Sequence, residues 1–368
     1  MPSPRQRFLD YVRHKPNVKP IVSPFLPHPE IISKSLEYLG LPICNDHIEN
    51  EITLSRELDY EPMFMTDCAG LVFPWHEDRS LSDSDWSVSV LPTPIGDWVR
   101  RISRKDGLFG DEQGFPVKTE ADHEKLVAVC EQIEERESDI RSYYRNFRQR
   151  IGDNGVIVIG HPHISWLGGQ ISQKNMIYHA VDYSQAYKRS MDAICKASLY
   201  VFGVAIEEGI DFMSEAGYGL EMISPEQFVG QDLHYTRILA DWTHKQGGLF
   251  WYHNCGKTRN LIKNGFFDRL GADVIETIAP NPEGDNDLAE SRRYLGPDIC
   301  SKGNISLGLL RDGSVDEVIE ATKAMIHAVD GYRHIHSTAD AVFGETPVEN
   351  FLAFIRTAIS VDKIYNVI

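Results

Sequence analysis

The chain has 368 residues, 42% of them hydrophobic and 25% charged, with a net charge of −17 at pH 7. That is enough apolar material for one large core or two ordinary ones, and the acidic balance argues against a nucleic-acid or anionic-membrane partner, because phosphate binding needs a basic face. No run approaches the length of a membrane span, no apolar stretch follows the basic residues Arg5 and Arg7, and the six cysteines (Cys44, Cys68, Cys130, Cys195, Cys255, Cys300) lack framework spacing, so the expectation is a cytoplasmic protein with reduced thiols.

In chain order, residues 5–14 read as a short helix, followed by a brief first strand over 18–24 that proline ends. An acidic helical region spans 29–58, and a second apolar strand over 62–67 closes on Asp67. Between 81 and 118 the pattern becomes short alternating runs, such as Trp86-Ser87-Val88-Ser89-Val90, with glycine and proline turns; this predicts a β-rich insertion after the second strand. A long charged helix over 120–152 leads into the buried strand 155–160, whose exit is His161-Pro162-His163. Helix 183–208 then feeds a strand over 209–215 that opens onto Gly217-Tyr218-Gly219, and Pro225 sits at the start of the helix that follows. The run 248–256 is an unbroken apolar strand that leaves through His253-Asn254-Cys255-Gly256. Helix-then-strand units over 271–276, 298–304 and 331–336 finish the chain. Eight strands separated by helices, with no compositional shift between the halves, predict a single α/β domain over 1–368, a (β/α)8 TIM barrel.

Polar residues gather at the strand exits: Asp67, His161, His163, Glu215, His253, Cys255, Glu276, Asn304 and His336. In this architecture the C-terminal ends of the strands carry the chemistry, although strands also end wherever apolar residues stop. His253 and Cys255 stand two apart, so they share one side of their strand and can grip one ion. An imidazole and a thiolate suit Zn²⁺, and a third ligand from elsewhere would leave the open position that a catalytic zinc needs. Taken alone, a His-x-Cys pair is more often a buried thiol beside a hydrogen-bonded imidazole. The context is what favours a metal.

The order of motifs resembles the uroporphyrinogen decarboxylase superfamily. The resemblance is carried by His253-Asn254-Cys255-Gly256-Lys257-Thr258, Lys302-Gly303-Asn304-Ile305, Ser224-Pro225-Glu226-Gln227-Phe228 and Glu345-Thr346-Pro347-Val348-Glu349-Asn350, with Arg5-Gln6-Arg7-Phe8 and Thr93-Pro94-Ile95-Gly96 in agreement. True decarboxylases of that superfamily carry an Arg-Gln-Ala-Gly-Arg-Tyr segment after the first strand, where this chain has Ser23-Pro24-Phe25-Leu26-Pro27-His28. Without that basic cradle an octa-anionic porphyrinogen has little to bind. Asp67 does lie where decarboxylases keep an aspartate, which leaves decarboxylation as the alternative.

The other branch of the superfamily consists of zinc methyltransferases that exchange a methyl group with a corrinoid protein, among them O-demethylases of methoxylated compounds. The resemblance implies His253 and Cys255 as the first two zinc ligands. In place of the usual third cysteine this chain has His336-Ser337-Thr338-Ala339-Asp340, which leaves Asp340 or His336, with Glu215, Glu276 or Cys300 as other candidates. The implied activity moves a methyl group from a methoxylated, aromatic substrate to the Co(I) of a corrinoid (cobalamin) that a partner protein carries, since no corrinoid-binding module is recognised in the chain. His161 or His163 would orient the substrate or donate a proton, alongside Asp67 and Glu215. Trp166, Tyr218 and Trp251 would sandwich an aromatic ring, and Asn304 would contact the substrate. A methylcorrinoid:thiol methyltransferase and a non-catalytic corrinoid or tetrapyrrole binder are further readings, and pairing of the barrel into a homodimer is left open.

Overall fold

The computed structural model describes residues 2–16, 18–105, 114–217 and 220–365. Its strands are β1 (Met63–Thr66), β2 (His76–Glu77), β3 (Trp86–Leu91), β4 (Trp98–Ser103), β5 (Val156–Ile159), β6 (Phe212–Gly217), β7 (Leu249–Asn254), β8 (Val274–Glu276), β9 (Cys300–Ile305) and β10 (His334–Thr338). Seven of them make one sheet in the order β1-β5-β6-β7-β8-β9-β10, with helices between successive strands. The predicted first strand is reduced to a single parallel bridge between Val22 and His336. Pro20 and Pro24 explain this, because neither has an N–H to give a ladder, and pairing is confined to the residues between them. Those residues reach both edges of the sheet. Ser23 N donates to His336 O and His336 N to Ile21 O on the β10 side, while Glu61 N, just ahead of β1, donates to Val22 O. The sheet is therefore curled, as in TIM-barrel-like α/β folds.

The chain divides into two compact units, one comprising Met1–Met65, Arg148–Val158 and Ile210–Ile368, the other Thr66–Phe147 and Ile159–Gly209. In the first unit the helix Pro4–Val12 begins where the Ser3 side chain accepts from Gln6 N, with Pro4 in its first turn. Its buried face, Phe8, Leu9, Tyr11 and Val12, packs into a core with Val156, Val158, Phe212, Leu249, Trp251, Val274, Cys300 and Ile335. The rings of Phe8, Phe212 and Trp251 meet at centroid distances of 5.3–6.4 Å. Each such fully buried side chain contributes roughly 1.5–3 kcal/mol before its ordering entropy is counted. Asp211 ties this assembly together. Its carboxylate accepts from Arg5 Nε at 2.7 Å, from Arg148 Nη1 at 2.9 Å and from Ile157 N at 2.9 Å.

The core fixes which strand positions point inward. Trp251 pairs with Val274 and Val274 with Cys300, all three in the core. Two residues further along each strand, on the same face, His253 pairs with Glu276 and Glu276 with Lys302. A polar layer thus sits directly on an apolar one.

In the second unit β2, β3 and β4 form an antiparallel sheet, with Trp86 opposite Ser103 and Leu91 opposite Trp98. The buried Trp98 donates its ring N–H to Pro116 O at 3.1 Å. The single helix expected over 120–152 is instead Glu120–Glu131, a 3₁₀ turn Ile133–Arg136, and Glu137–Ile151. At the break the Arg136 guanidinium reaches the Val72 carbonyl, a tertiary bond that the helical pattern does not reveal. Among the described residues no helix is long and apolar enough to cross a membrane.

Candidate metal centre

His253 is the penultimate residue of β7 and Cys255 follows the strand, so alternation sets both on the inward face above Trp251. Gly256 turns the chain away with φ +78°, and a Cβ there would lie 2.5 Å from Glu221 Oε2. Asp340 comes from the turn after β10. That turn is held by Thr338 Oγ1 donating to Asp340 O at 2.7 Å and Ala341 N donating to Asp340 Oδ1 at 2.7 Å. One ligand atom each from His253, Cys255 and Asp340 lies within 4.8 Å of the others, the one such grouping of His, Cys, Asp and Glu side chains among the described residues. His253 is buried, whereas Cys255 is accessible.

Behind His253 the polar layer is fully engaged. Glu276 Oε2 accepts from Trp251 Nε1 at 2.9 Å and lies 3.3 Å from His253 Nδ1, while Glu276 Oε1 accepts from Lys302 Nζ at 2.5 Å. The side chains of Lys302 and Glu276 are 0% and 1% exposed, so this ion pair is removed from water. The ammonium also lies 5.7 Å from the Phe25 ring centroid and 5.8 Å from that of Trp251. Burial disfavours the Glu276 carboxylate, but Lys302 and His253 outweigh it and hold the group well below the usual carboxylate range. Burial likewise disfavours a charged His253, yet the contacts with Cys255 and Glu276 prevail and raise its pKa well above the ordinary imidazole value. These contacts thus favour a positive charge on the His253 ring. A nitrogen, a sulfur and a carboxylate oxygen are the donor types of zinc, and with Glu276 accepting at Nδ1 the other ring nitrogen of His253 would be the one to bind an ion. Tetrahedral zinc with bonds of roughly 2.0–2.3 Å sets its ligands about 3.5 Å apart, so small side-chain rotations close the set. The residues fit the ion.

The remaining candidates fall in several places. Trp251 is wholly buried in the apolar layer and spends its N–H on Glu276. Asn304 anchors a neighbouring loop through Nδ2 to Ile278 O at 3.1 Å. Cys300 lies one layer below Lys302, where burial pushes its thiol up to about 12. Glu215 and His336 have the opposite parity to the core residues Phe212 and Ile335 of their strands, so both face away from the barrel interior. The His336 ring lies tilted against that of His334 at a centroid distance of 5.5 Å, and burial with the neighbouring Glu215 carboxylate pushes Asp232 up to about 7. The structure therefore does not bring Glu215 or His336 to the metal group, because successive strand residues alternate sides. Tyr218 lies outside the described residues.

In the second unit Asp67 Oδ1 accepts from Ala69 N at 2.9 Å and from Trp166 Nε1 at 3.2 Å, and burial raises its pKa. His161, with φ +42°, caps the helix Pro162–Gly168, in which His163 and Trp166 are buried. Sequence reasoning passed over Lys302 and Phe25. The signal for Lys302 was available: a lysine between Cys300 and Asn304 at period two, inside a strand with both faces covered.

The Uroporphyrinogen decarboxylase (URO-D) family matches residues 167–361. A uroporphyrinogen decarboxylase from Trichodesmium erythraeum (strain IMS101) is 23% identical over 254 residues, 66% of this chain and 68% of that protein. Among solved structures, a methyltransferase from Methanosarcina mazei is similar in fold with a TM-score of 0.64 and 13% identity, the match covering 100% of both chains. The family match takes in more than half of the chain, including His253, Cys255, Glu276, Lys302 and Asp340, and this protein belongs to the uroporphyrinogen decarboxylase family.

Proposed function

We propose that this protein is a cytoplasmic zinc-dependent methyltransferase, one domain over 1–368 built on a TIM-barrel-like fold, that moves a methyl group from a methoxylated aromatic compound to the Co(I) of a corrinoid protein. The observation that carries the reading is the convergence of one imidazole, one thiol and one carboxylate from His253, Cys255 and Asp340. The fold likeness to the Methanosarcina mazei methyltransferase is in keeping with it. A methyl ether resists transfer because its oxygen is a poor leaving group; zinc, when bound, supplies the Lewis acidity that stabilises that oxygen. The three ligands orient the site, Glu276 fixes the His253 ring, and the hydrophobic wall of Phe25, edge-on to His253 at 6.4 Å, suits an aromatic substrate. The departing oxygen takes up a proton as the methyl leaves, and Asn304 contacts the substrate. One carboxylate in place of a second thiolate leaves the ion more Lewis acidic, which favours ether activation over binding a thiolate acceptor.

Decarboxylation is the second reading, favoured by the Trichodesmium relative and by the position of Asp67. Against it, Phe25 packs beside His253 and Lys302 within the segment that replaces the decarboxylase arginines. The test is a screen of methoxylated aromatics with reduced cobalamin, followed by the absorbance change on methylation. Methylcobalamin and the demethylated phenol are expected in equal amounts. No turnover of any ether, with loss of carbon dioxide from uroporphyrinogen or methylation of a thiol by methylcobalamin, would replace the proposal; binding of cobalamin without methyl transfer would reduce the protein to a binder.

A further inference from the structure

We propose that Lys302 is a positioning residue for the metal, acting through Glu276; this inference rests on the metal reading above. Two features of the pair set it apart from a structural salt bridge. A lysine without any exposed side-chain surface is seldom found unless its charge is matched, and here the match is a single carboxylate oxygen at 2.5 Å. The other oxygen of that carboxylate is the one shared by Trp251 Nε1 and His253 Nδ1. Glu276 is thus held at both oxygens, by donors from β7 and from β9, and the register pairing His253↔Glu276↔Lys302 puts all three at one level of the sheet.

The consequence for the ion is geometric and electrostatic. A carboxylate clamped by Lys302 accepts the Nδ1 proton of His253, which would fix the tautomer whose other nitrogen can bind an ion together with Cys255 and Asp340. The ammonium also cancels the Glu276 charge, so the local balance of the site is set by the ligands alone: a thiolate and a carboxylate against a divalent cation. With Lys302 removed, Glu276 keeps its charge but loses the partner that aims it, and His253 loses its fixed orientation.

The experiment uses the full chain with Co²⁺ and Zn²⁺ as probes. Affinity is read by competition with a chromophoric chelator and ligand geometry by the visible spectrum of the Co²⁺ form, for wild type, Lys302→Met and the charge-free pair Lys302→Met with Glu276→Gln. Outer-shell partners typically contribute 10–100-fold to metal affinity. Lys302→Met is expected to bind at least about tenfold more weakly, with an altered Co²⁺ spectrum. The double variant has no unpaired buried charge, so it stands in if Lys302→Met fails to fold, and it is expected to lose affinity by a similar factor. A folded variant of either kind with wild-type affinity and spectrum overturns the role of Lys302 and leaves the metal site intact. A wild-type chain that takes up neither ion overturns both.

Discussion

Cys255→Ala is expected to strip the protein of its metal and to abolish methyl transfer while leaving the fold intact. The thiol is accessible, so its removal takes little from the core, and with both proteins compared free of metal the stability change should stay within about 0.5 kcal/mol. The metal has more to lose. Two ligands from separate strands do not hold zinc in a closed or catalytic geometry, and losing a direct ligand must cost at least as much as the roughly 10–100-fold of an outer-shell partner. Metal content per chain after dialysis, read beside the thermal midpoint, checks both halves. An alanine variant that keeps a full equivalent of zinc would mean that Cys255 is an ordinary surface thiol.

Gly303→Ala is expected to be among the most damaging single substitutions in the chain. Gly303 has φ +139°, a conformation that side chains rarely adopt, and an added Cβ would lie 2.1 Å from the Thr277 carbonyl oxygen. That neighbour is backbone on the segment leaving β8, so it cannot rotate away. The result is either an outward shift of β9 or loss of its pairing with β8 and β10, at a cost of about 3 kcal/mol or more. Because Lys302 precedes Gly303, the same shift would loosen the Lys302–Glu276 contact, so metal affinity should fall with stability. Urea unfolding of Gly303→Ala beside Gly70→Ala checks this. Gly70 lies in the helix Ala69–Val72 with nothing within 4 Å of its added Cβ, and alanine there should be neutral or stabilising by up to about 1 kcal/mol. Equal stability of the two variants would rule out the close approach.

How much of the site was legible in the sequence follows from which physical signals are local. The run 249–254 reads as a strand because no polar residue interrupts it before His253 and because Gly256 supplies the turn, and both features need only neighbouring residues. Parity within that strand then places His253 and Cys255 together. The third ligand was harder. The sequence around His336 offers a histidine and an aspartate four residues apart, and the choice between them depends on which face of β10 is inward. In a sheet covered on both sides, inward and outward residues are alike in hydropathy, so His334-Ile335-His336 carries no readable phase. Packing of Ile335 into the core supplies that phase and sends His336 to the far side. The same ambiguity misplaced Glu215. Glu276, weighed as a ligand, has parity in its favour, but its oxygens are taken by Trp251, His253 and Lys302. The partnership with Lys302 was invisible for a different reason: the two residues lie 26 apart in sequence, and only the β8–β9 register brings them together. The apolar run 18–24 reads as a full strand, but Pro20 and Pro24 lack the N–H donors of a ladder, and only the bridge at Val22 forms.

The mixed ligand set is the claim on which the chemistry depends, and X-ray absorption at the zinc edge of the metal-loaded protein tests it most directly. The expected spectrum has one sulfur at about 2.3 Å and nitrogen or oxygen neighbours at about 2.0–2.2 Å, from His253, Asp340 and a fourth ligand outside the set. Two sulfurs in the coordination shell, or no stoichiometric zinc to measure, would contradict the assignment of Asp340 beside His253 and Cys255.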